Sequence, residues 1–272
     1  MIVPLAAVVG GSVLGFAYGY LVEVNPLVYL SLLATVAFGF SLGAVASRAG
    51  KIGKMRSPLI NGLAGLVIGG VGLYVSWIAW LHSLADVWLF EPGDLWHAIQ
   101  HVARRGAWSI KNSTPKGVVL YVIWSVEAAL ILMIAVFMAH RAGGRPFCEK
   151  CDRWAERIFS GLRFGVPGDE AQLKAELLGG SLNALPQLPQ ATGDRWTEAK
   201  LAACPACRQK GYFTVEAIHS TVDRKGKERT KRTPIVDNLI LNGDLLAHAR
   251  GFEAAQPKEP EVSGGDAGAS HT

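Results

Sequence analysis

Four cysteines, arranged as two Cys-x-x-Cys pairs, are the residues of this sequence best suited to chemistry. The first pair is Cys148 and Cys151, and the second is Cys204 and Cys207. Each pair can place two thiolates on one metal ion, and two pairs complete a tetrahedral site with no open position. Such a closed site is structural and contributes folding free energy directly. The sequence therefore predicts structural Zn²⁺ as the cofactor.

A redox role is the alternative for the second pair, whose Cys-Pro-Ala-Cys sequence has the form of a thiol oxidoreductase motif. In such enzymes the reactive cysteine usually begins a helix. Here Gly211 is followed by aromatic and β-branched residues at 212–218, which indicate a turn into a strand. The strand favours a zinc knuckle, and a membrane-tethered thiol oxidoreductase remains a further hypothesis.

The pattern around the second pair resembles the zinc-ribbon class. Strands are expected at 195–203, 212–222 and 228–241, with a turn at 223–227. The resemblance implies a three-stranded antiparallel sheet clamped by zinc, although this fold serves many functions. The insert at 152–194 is expected to be helical. Its first part would form a helix with one apolar face, and a second short helix is expected at 170–178. The apolar face consists of Trp154, Ile158, Phe159 and Leu162.

Residues 1–143 have the composition of a membrane domain. Half of the chain is hydrophobic, and residues 1–47 contain a single charged side chain, Glu23. Apolar runs at about 2–22, 27–47, 58–81 and 117–139 each approach the roughly 20 residues that cross a bilayer as a helix. The fold class expected is a mostly α membrane protein with four transmembrane helices. A cytosolic zinc-ribbon-like β domain with a helical insert follows at 144–252, and a disordered tail at 253–272.

Glycines recur at intervals of four in the apolar runs. Gly11, Gly15 and Gly19 lie in the first run, and Gly65 and Gly69 lie in the third. Small residues at this spacing let two helix backbones approach closely. We expect them to pack the helices of one bundle against each other.

The orientation follows from the basic residues of the short loops. The loop between the second and third runs carries Arg48, Lys51, Lys54 and Arg56 and no acid, whereas the first loop has no Lys or Arg. Positive loops stay inside, so both termini are expected in the cytosol, with a bacterial inner membrane as the location. Thiols remain reduced in that compartment, which favours metal binding.

Glu127 is an acidic residue in the middle of the fourth run. A carboxylate at that depth is costly, so it should face the bundle or be protonated. One hypothesis is a proton or cation site. The other is a protonated packing residue that bonds to Ser76, Tyr74 or Asn61.

A short amphipathic helix is expected outside the membrane at about 94–105, with Asp94 as its N-cap. Its polar face carries Asp94, His97 and His101, which could share a metal. A solvated polar face is the alternative reading of these residues.

A basic hairpin follows the second cysteine pair. Three roles are open to it: a solvated tip, contact with the anionic inner leaflet, or nucleic-acid binding. The tip has no aromatic residue on which bases could stack, so nucleic acid is disfavoured. The basic side chains are Arg224, Lys225, Lys227, Arg229, Lys231 and Arg232.

Catalysis is not expected, because the sequence shows no nucleophile–base–orienter set, phosphate loop or catalytic metal motif. The leading hypothesis is an integral membrane scaffold or adaptor whose zinc domain binds a protein partner at the cytosolic face. A small transporter or channel-like protein that uses Glu127 is the alternative.

Overall fold

In the computed structural model, the chain divides into two compact units, residues 1–145 and residues 146–272. The structure describes residues 2–24, 28–107, 114–191, 193–223 and 226–255. The first unit is helical, and the second is built on antiparallel sheets.

The described part of the first unit contains four helices that are long and apolar enough to cross a membrane, which suggests membrane insertion. They span Ile2–Glu23, Leu30–Ile52, Pro58–Ala85 and Val118–Gly143. The last three extend beyond the predicted apolar runs, because a helix need not end where the hydrocarbon does. The element bounds are α1 Ile2–Ala6, a π-helical turn Ala7–Gly11, α2 Ser12–Val24, α3 Val28–Ile52, α4 Pro58–Ala85, α5 Pro92–Arg105 and α6 Val118–Gly143.

Glycines bring α2 and α4 into backbone contact. A Cβ atom built on Gly15 would lie 2.3 Å from the Gly72 carbonyl oxygen, and one on Gly19 would lie 2.5 Å from the Ser76 carbonyl oxygen. A side chain at either position would force these helices apart. The glycine spacing therefore serves packing within the bundle, as expected from the sequence.

The helix α5 packs its apolar stripe against α4 and α6. Leu95, Ile99 and Ala103 are buried and belong to one cluster with Trp124 of α6. The predicted N-cap at Asp94 was wrong, because α5 begins at Pro92. Proline suits the first helical position, where its missing N–H would have no partner.

The second unit contains a four-stranded antiparallel sheet in the order β3-β4-β5-β6, where three strands were predicted. A separate two-stranded sheet pairs β1 with β2. The strands are β1 Phe147–Cys148, β2 Arg153–Trp154, β3 Glu156–Phe164, β4 Arg195–Ala203, β5 Lys210–Val222 and β6 Glu228–Asn242.

The additional strand β3 occupies a segment that was predicted to be helical, and that prediction was wrong. Its pairing with β4 shifts register between Arg157 and Phe159 and again between Ser160 and Leu162, with Gly161 at a positive φ of 91°. A bulge inserts an extra residue, so the side chains of a strand no longer alternate strictly between its two faces. The apolar residues Phe159 and Leu162 are consequently three positions apart, which resembles the spacing of a helix.

One face of the sheet is covered by α7 (Glu170–Leu178) and α8 (Gly243–Ala255). Leu201, Phe213 and Leu241 of the sheet and Leu177 of α7 form its buried core with Phe252 of α8. The predicted disordered tail began at residue 253, but α8 continues to 255. The rest of that prediction, residues 256–272, lies outside the described residues.

Candidate metal centre

The first cysteine pair lies on a small hairpin. Strand β1 ends at Cys148 and β2 begins at Arg153, and these two residues are paired in the ladder. Cys148 therefore ends the first strand, and Cys151 lies within the tight turn between the two strands. The Phe147 and Trp154 rings meet edge to face at 5.1 Å between centroids, which fixes the base of the hairpin.

The second pair lies in the connection between β4 and β5. The strands are paired up to Ala203 and Gly211, and the Cys204 N–H donates to the Lys210 carbonyl at 3.0 Å. The Arg208 N–H then donates to the Cys204 carbonyl at 3.1 Å, which closes the turn around the cysteines.

Both turns have the same backbone conformation after their second cysteine. Asp152 follows Cys151 with φ of 54°, and Arg208 follows Cys207 with φ of 53°. Left-handed backbone is uncommon for residues other than glycine. A left-handed residue therefore follows the second cysteine of both pairs.

The four sulfur atoms converge. All lie within 4.8 Å of one another, and the sulfurs of Cys148 and Cys207 are 4.0 Å apart. A metal with metal–sulfur bonds of about 2.3 Å in a regular tetrahedron would separate its sulfurs by about 3.8 Å. Cys148 and Cys204 are 0% and 1% exposed. The thiols are free, so the arrangement suits a metal site.

Hydrogen bonds act in opposite directions on two of the thiols, Cys151 and Cys207. The backbone N–H of Gln209, aided by neighbouring thiols, lowers the pKa of Cys207 to about 6. Hydrogen bonding to Cys207, together with burial, raises the pKa of Cys151 to about 12. The lowered pKa of Cys207 favours its thiolate, which is the form of cysteine that binds metal.

Tyr212 connects the two cysteine-bearing hairpins. Its hydroxyl donates to the Phe147 carbonyl at 2.6 Å, so β5 is bonded to β1 beside the thiols. Burial and the nearby Cys148 raise the pKa of Tyr212. No motif marked this residue in the sequence, because its role depends on a contact 65 positions away.

An ion-pair network covers the sheet face opposite the core. Glu198 and Glu216 are directly opposed on β4 and β5. Arg232 of β6 lies 3.2 Å from Glu198 and 3.3 Å from Glu216, and Lys200 lies 2.6 Å from Glu216. Burial alone would favour the neutral forms of Glu216 and Arg232, but the oppositely charged neighbours have the larger effect. The pKa of Glu216 is therefore lowered and the pKa of Arg232 is raised.

The basic hairpin is partly neutralised by acids. Arg232 belongs to the ion-pair network, and Arg229 lies 3.8 Å from Asp223. The Lys227 and Lys231 side chains form no ion pair with an acid among the residues described, although the Lys227 N–H donates to the Asp223 carboxylate at 3.0 Å. Arg224 and Lys225 lie outside the described residues.

The polar face of α5 does not gather metal ligands. Asp94, His97 and His101 are exposed. Within the described ranges, the cysteine cluster is the one set in which three or more cysteine, histidine or carboxylate ligand atoms converge.

Glu127 was expected to bond to Ser76, Tyr74 or Asn61, and these partners were wrong. The Ser76 hydroxyl donates to its own helix, and Glu127 instead accepts hydrogen bonds from Tyr18 and Thr35. Sequence spacing within one helix cannot show which neighbouring helix faces a residue.

Comparison of the chain with protein-family models, curated proteins and solved structures gives no match. Among the residues that the structure describes, the chain combines four helices of membrane-spanning length with an antiparallel-sheet unit that holds four cysteines at metal-binding distance.

Proposed function

We propose that the protein is an integral membrane scaffold whose cytosolic zinc domain binds a protein partner. The observation that supports it is the convergence of four thiols from two separate hairpins onto one point. A site of this kind uses its whole coordination sphere for protein ligands, so it shapes a domain and leaves no position for a substrate.

Zinc is the metal that this ligand set favours. Four thiolates in a tetrahedral arrangement are typical of Zn²⁺ or of iron–sulfur centres, whereas Mg²⁺ and Ca²⁺ prefer oxygen. The paired turns and adjoining antiparallel strands also support a zinc-ribbon-like domain, with one strand more than the simplest form.

A redox function receives less support from the same geometry. A thiol oxidoreductase needs two cysteines at the start of a helix. Here β5 begins at Lys210, three residues after Cys207, and the first pair lies beside the second. We therefore assign both pairs to one structural metal.

The orientation rests on the basic loop between α3 and α4. Arg48 and Lys51 lie in the last turns of α3, and Lys54 and Arg56 follow before α4 begins at Pro58. This concentration of positive charge supports a cytosolic loop and hence cytosolic termini. A reporter fused after residue 272 that is active only in the cytosol tests this orientation.

Two variants at one position test the metal and its role together. Cys151→Ser removes a ligand, whereas Cys151→His supplies an alternative zinc ligand at the same half-buried position. We expect about one zinc per chain in wild type and in Cys151→His, and loss of zinc in Cys151→Ser.

Partner binding is then measured by cross-linking and pull-down of the three full-length proteins from detergent. The scaffold proposal predicts that wild type and Cys151→His retain the same partners while Cys151→Ser loses them. Identical partners in all three would contradict it. Iron in place of zinc, or thiols that cycle between oxidised and reduced forms, would contradict the structural-zinc assignment.

A further inference from the structure

An apolar groove of about 360 Å³ lies between the start of the first membrane-length helix and the end of α3. Its outer walls are long side chains that remain more than half exposed, namely Leu5 and Val9 on the first helix and Ile52 on α3. No described residue covers these three side chains, so the groove is open on its outer side.

The floor of the groove is made of small residues. Ala6 and Gly10 lie on the first helix, and Ala49 lies on α3. The two helices touch along this line, since a Cβ atom built on Gly10 would lie 2.8 Å from the Val45 side chain. The floor coincides with the π-helical turn Ala7–Gly11. Turns of this kind are rare and often occur at functional sites. Small residues between larger exposed ones thus leave a furrow into which an extended hydrocarbon chain fits.

Arg48 is the one charged side chain among the described residues that line the groove. It is exposed, and no ion pair or side-chain hydrogen bond joins it to another described residue. Lys51, Lys54 and Arg56 follow it in the sequence, and residues 48–56 contain no acid. The groove therefore combines an apolar interior with a positively charged end.

The chemistry of the groove favours a phospholipid over a water-soluble ligand. Both helices that form it are long and apolar enough to cross a membrane, so hydrocarbon chains would surround its open side. A ligand that fills it must join an apolar chain to an anion, and a phospholipid has both parts. A guanidinium group matches the geometry of phosphate oxygens and can donate two parallel hydrogen bonds to them. Basic residues beside membrane helices also attract anionic headgroups.

We propose that this groove binds one anionic phospholipid. An acyl chain lies along the floor between Leu5 and Ile52, and the phosphate binds Arg48. The basic residues that follow Arg48 favour a headgroup with net negative charge over a zwitterionic one. The site rests on the membrane insertion contained in the proposed function, but it does not depend on the zinc domain or on its partner.

The test is native mass spectrometry of the full-length protein in micelles supplied with equal amounts of dioleoyl-phosphatidylglycerol and dioleoyl-phosphatidylcholine. The two lipids have the same acyl chains and differ in the net charge of the headgroup. Wild type should retain one phosphatidylglycerol molecule per chain in preference to phosphatidylcholine. Zinc content and extraction from membranes, measured on the same preparations, separate failure of this site from failure of the zinc assignment or of membrane insertion.

A matched pair of arginine variants tests the headgroup contact. Arg48→Gln should lower the preference for phosphatidylglycerol about fivefold, which is the effect of one basic residue near an anionic lipid surface. Arg56→Gln removes the same charge from the same loop, but Arg56 does not line the groove. This variant should keep most of the preference of wild type.

A second pair of variants tests the apolar part of the site and stays informative if Arg48→Gln fails to fold. Ala6→Phe places a ring in the groove and leaves Arg48 in place, so it should reduce retention of the lipid severalfold. Val67→Phe enlarges a side chain on α4 that is 52% exposed and lies outside the groove. It should retain the lipid as wild type does.

Equal retention of the two lipids by wild type would overturn the proposal. Equal losses in Arg48→Gln and Arg56→Gln would also overturn it, since the charge of the whole loop would then select the lipid. A dimer without bound lipid would show that a second copy of the chain fills the groove instead.

Discussion

The contact between α2 and α4 predicts a large effect of a single methyl group. In Gly15→Ala the new Cβ atom would lie 2.3 Å from the Gly72 carbonyl oxygen, whereas ordinary contact begins at 3.4 Å. The difference, 3.4 − 2.3 = 1.1 Å, is the distance by which the two backbones must separate. Overpacking of this kind costs about 1–3 kcal/mol, which corresponds to roughly a 5- to 150-fold larger unfolding constant.

Gly70→Ala is the matched control, because a Cβ atom at Gly70 meets nothing within 4 Å. Unfolding is followed by tryptophan fluorescence in mixed micelles of increasing denaturing detergent, since Trp77 and Trp80 lie on α4. Gly15→Ala should unfold at a lower detergent fraction than wild type, and Gly70→Ala should match wild type. Equal stability of the two variants would refute the close approach of α2 and α4.

Three further predictions concern single side chains. Asn61 is buried, and its amide donates to the Met55 carbonyl at 2.7 Å. Asn61→Ala should therefore lower the free energy of unfolding in the same assay by about 1–3 kcal/mol. An unchanged midpoint would count against that bond. The Asp169 side chain accepts hydrogen bonds from N–H groups in the first turn of α7. Asp169→Ala should speed hydrogen exchange of that helix about fivefold, which corresponds to about 1 kcal/mol. Unaltered exchange would argue against the cap. Lys200 helps to lower the pKa of Glu216 in the folded protein. The Glu216 carboxylate therefore stabilises the second unit at pH values above the pKa of glutamate in the unfolded chain. This stabilisation is lost as the pH falls through the lower pKa of the folded state. Glu216→Gln should therefore flatten the acid side of the stability profile of the second unit, and a profile as steep as that of wild type would contradict the ion pair.

The membrane-length helices and the cysteine cluster could be predicted because each follows from a local rule. A helix must supply its own backbone hydrogen bonds over the thickness of a bilayer. Its length can therefore be counted as a run of consecutive apolar residues in the sequence. A Cys-x-x-Cys pair contains its own turn, and two such pairs can share one metal wherever the chain brings them together. Neither prediction required knowledge of the contacts between distant segments.

The strand β3 and the partners of Glu127 could not be predicted, since both depend on distant segments. The spacing of Phe159 and Leu162 indicates a helix until the bulges opposite β4 are known. Likewise, Tyr18 lies 109 positions from Glu127, and only the packed bundle shows that the two face each other. Polar residues within apolar helices are identifiable in the sequence, but their pairing is decided by helix rotation.

The separation of the two cysteine pairs along the chain has a consequence for folding. Cys148 and Cys207 are 59 residues apart. Unlike a disulfide, a metal ion bound to both would hold the ends of this loop together only in the folded chain, because the unfolded chain has no preformed site, and its binding free energy therefore adds to that of folding. Metal capture would also be timed by synthesis, because the loop can close only after the whole insert has left the ribosome. The second unit would thus gain its cross-link late, after the apolar helices described above have been made.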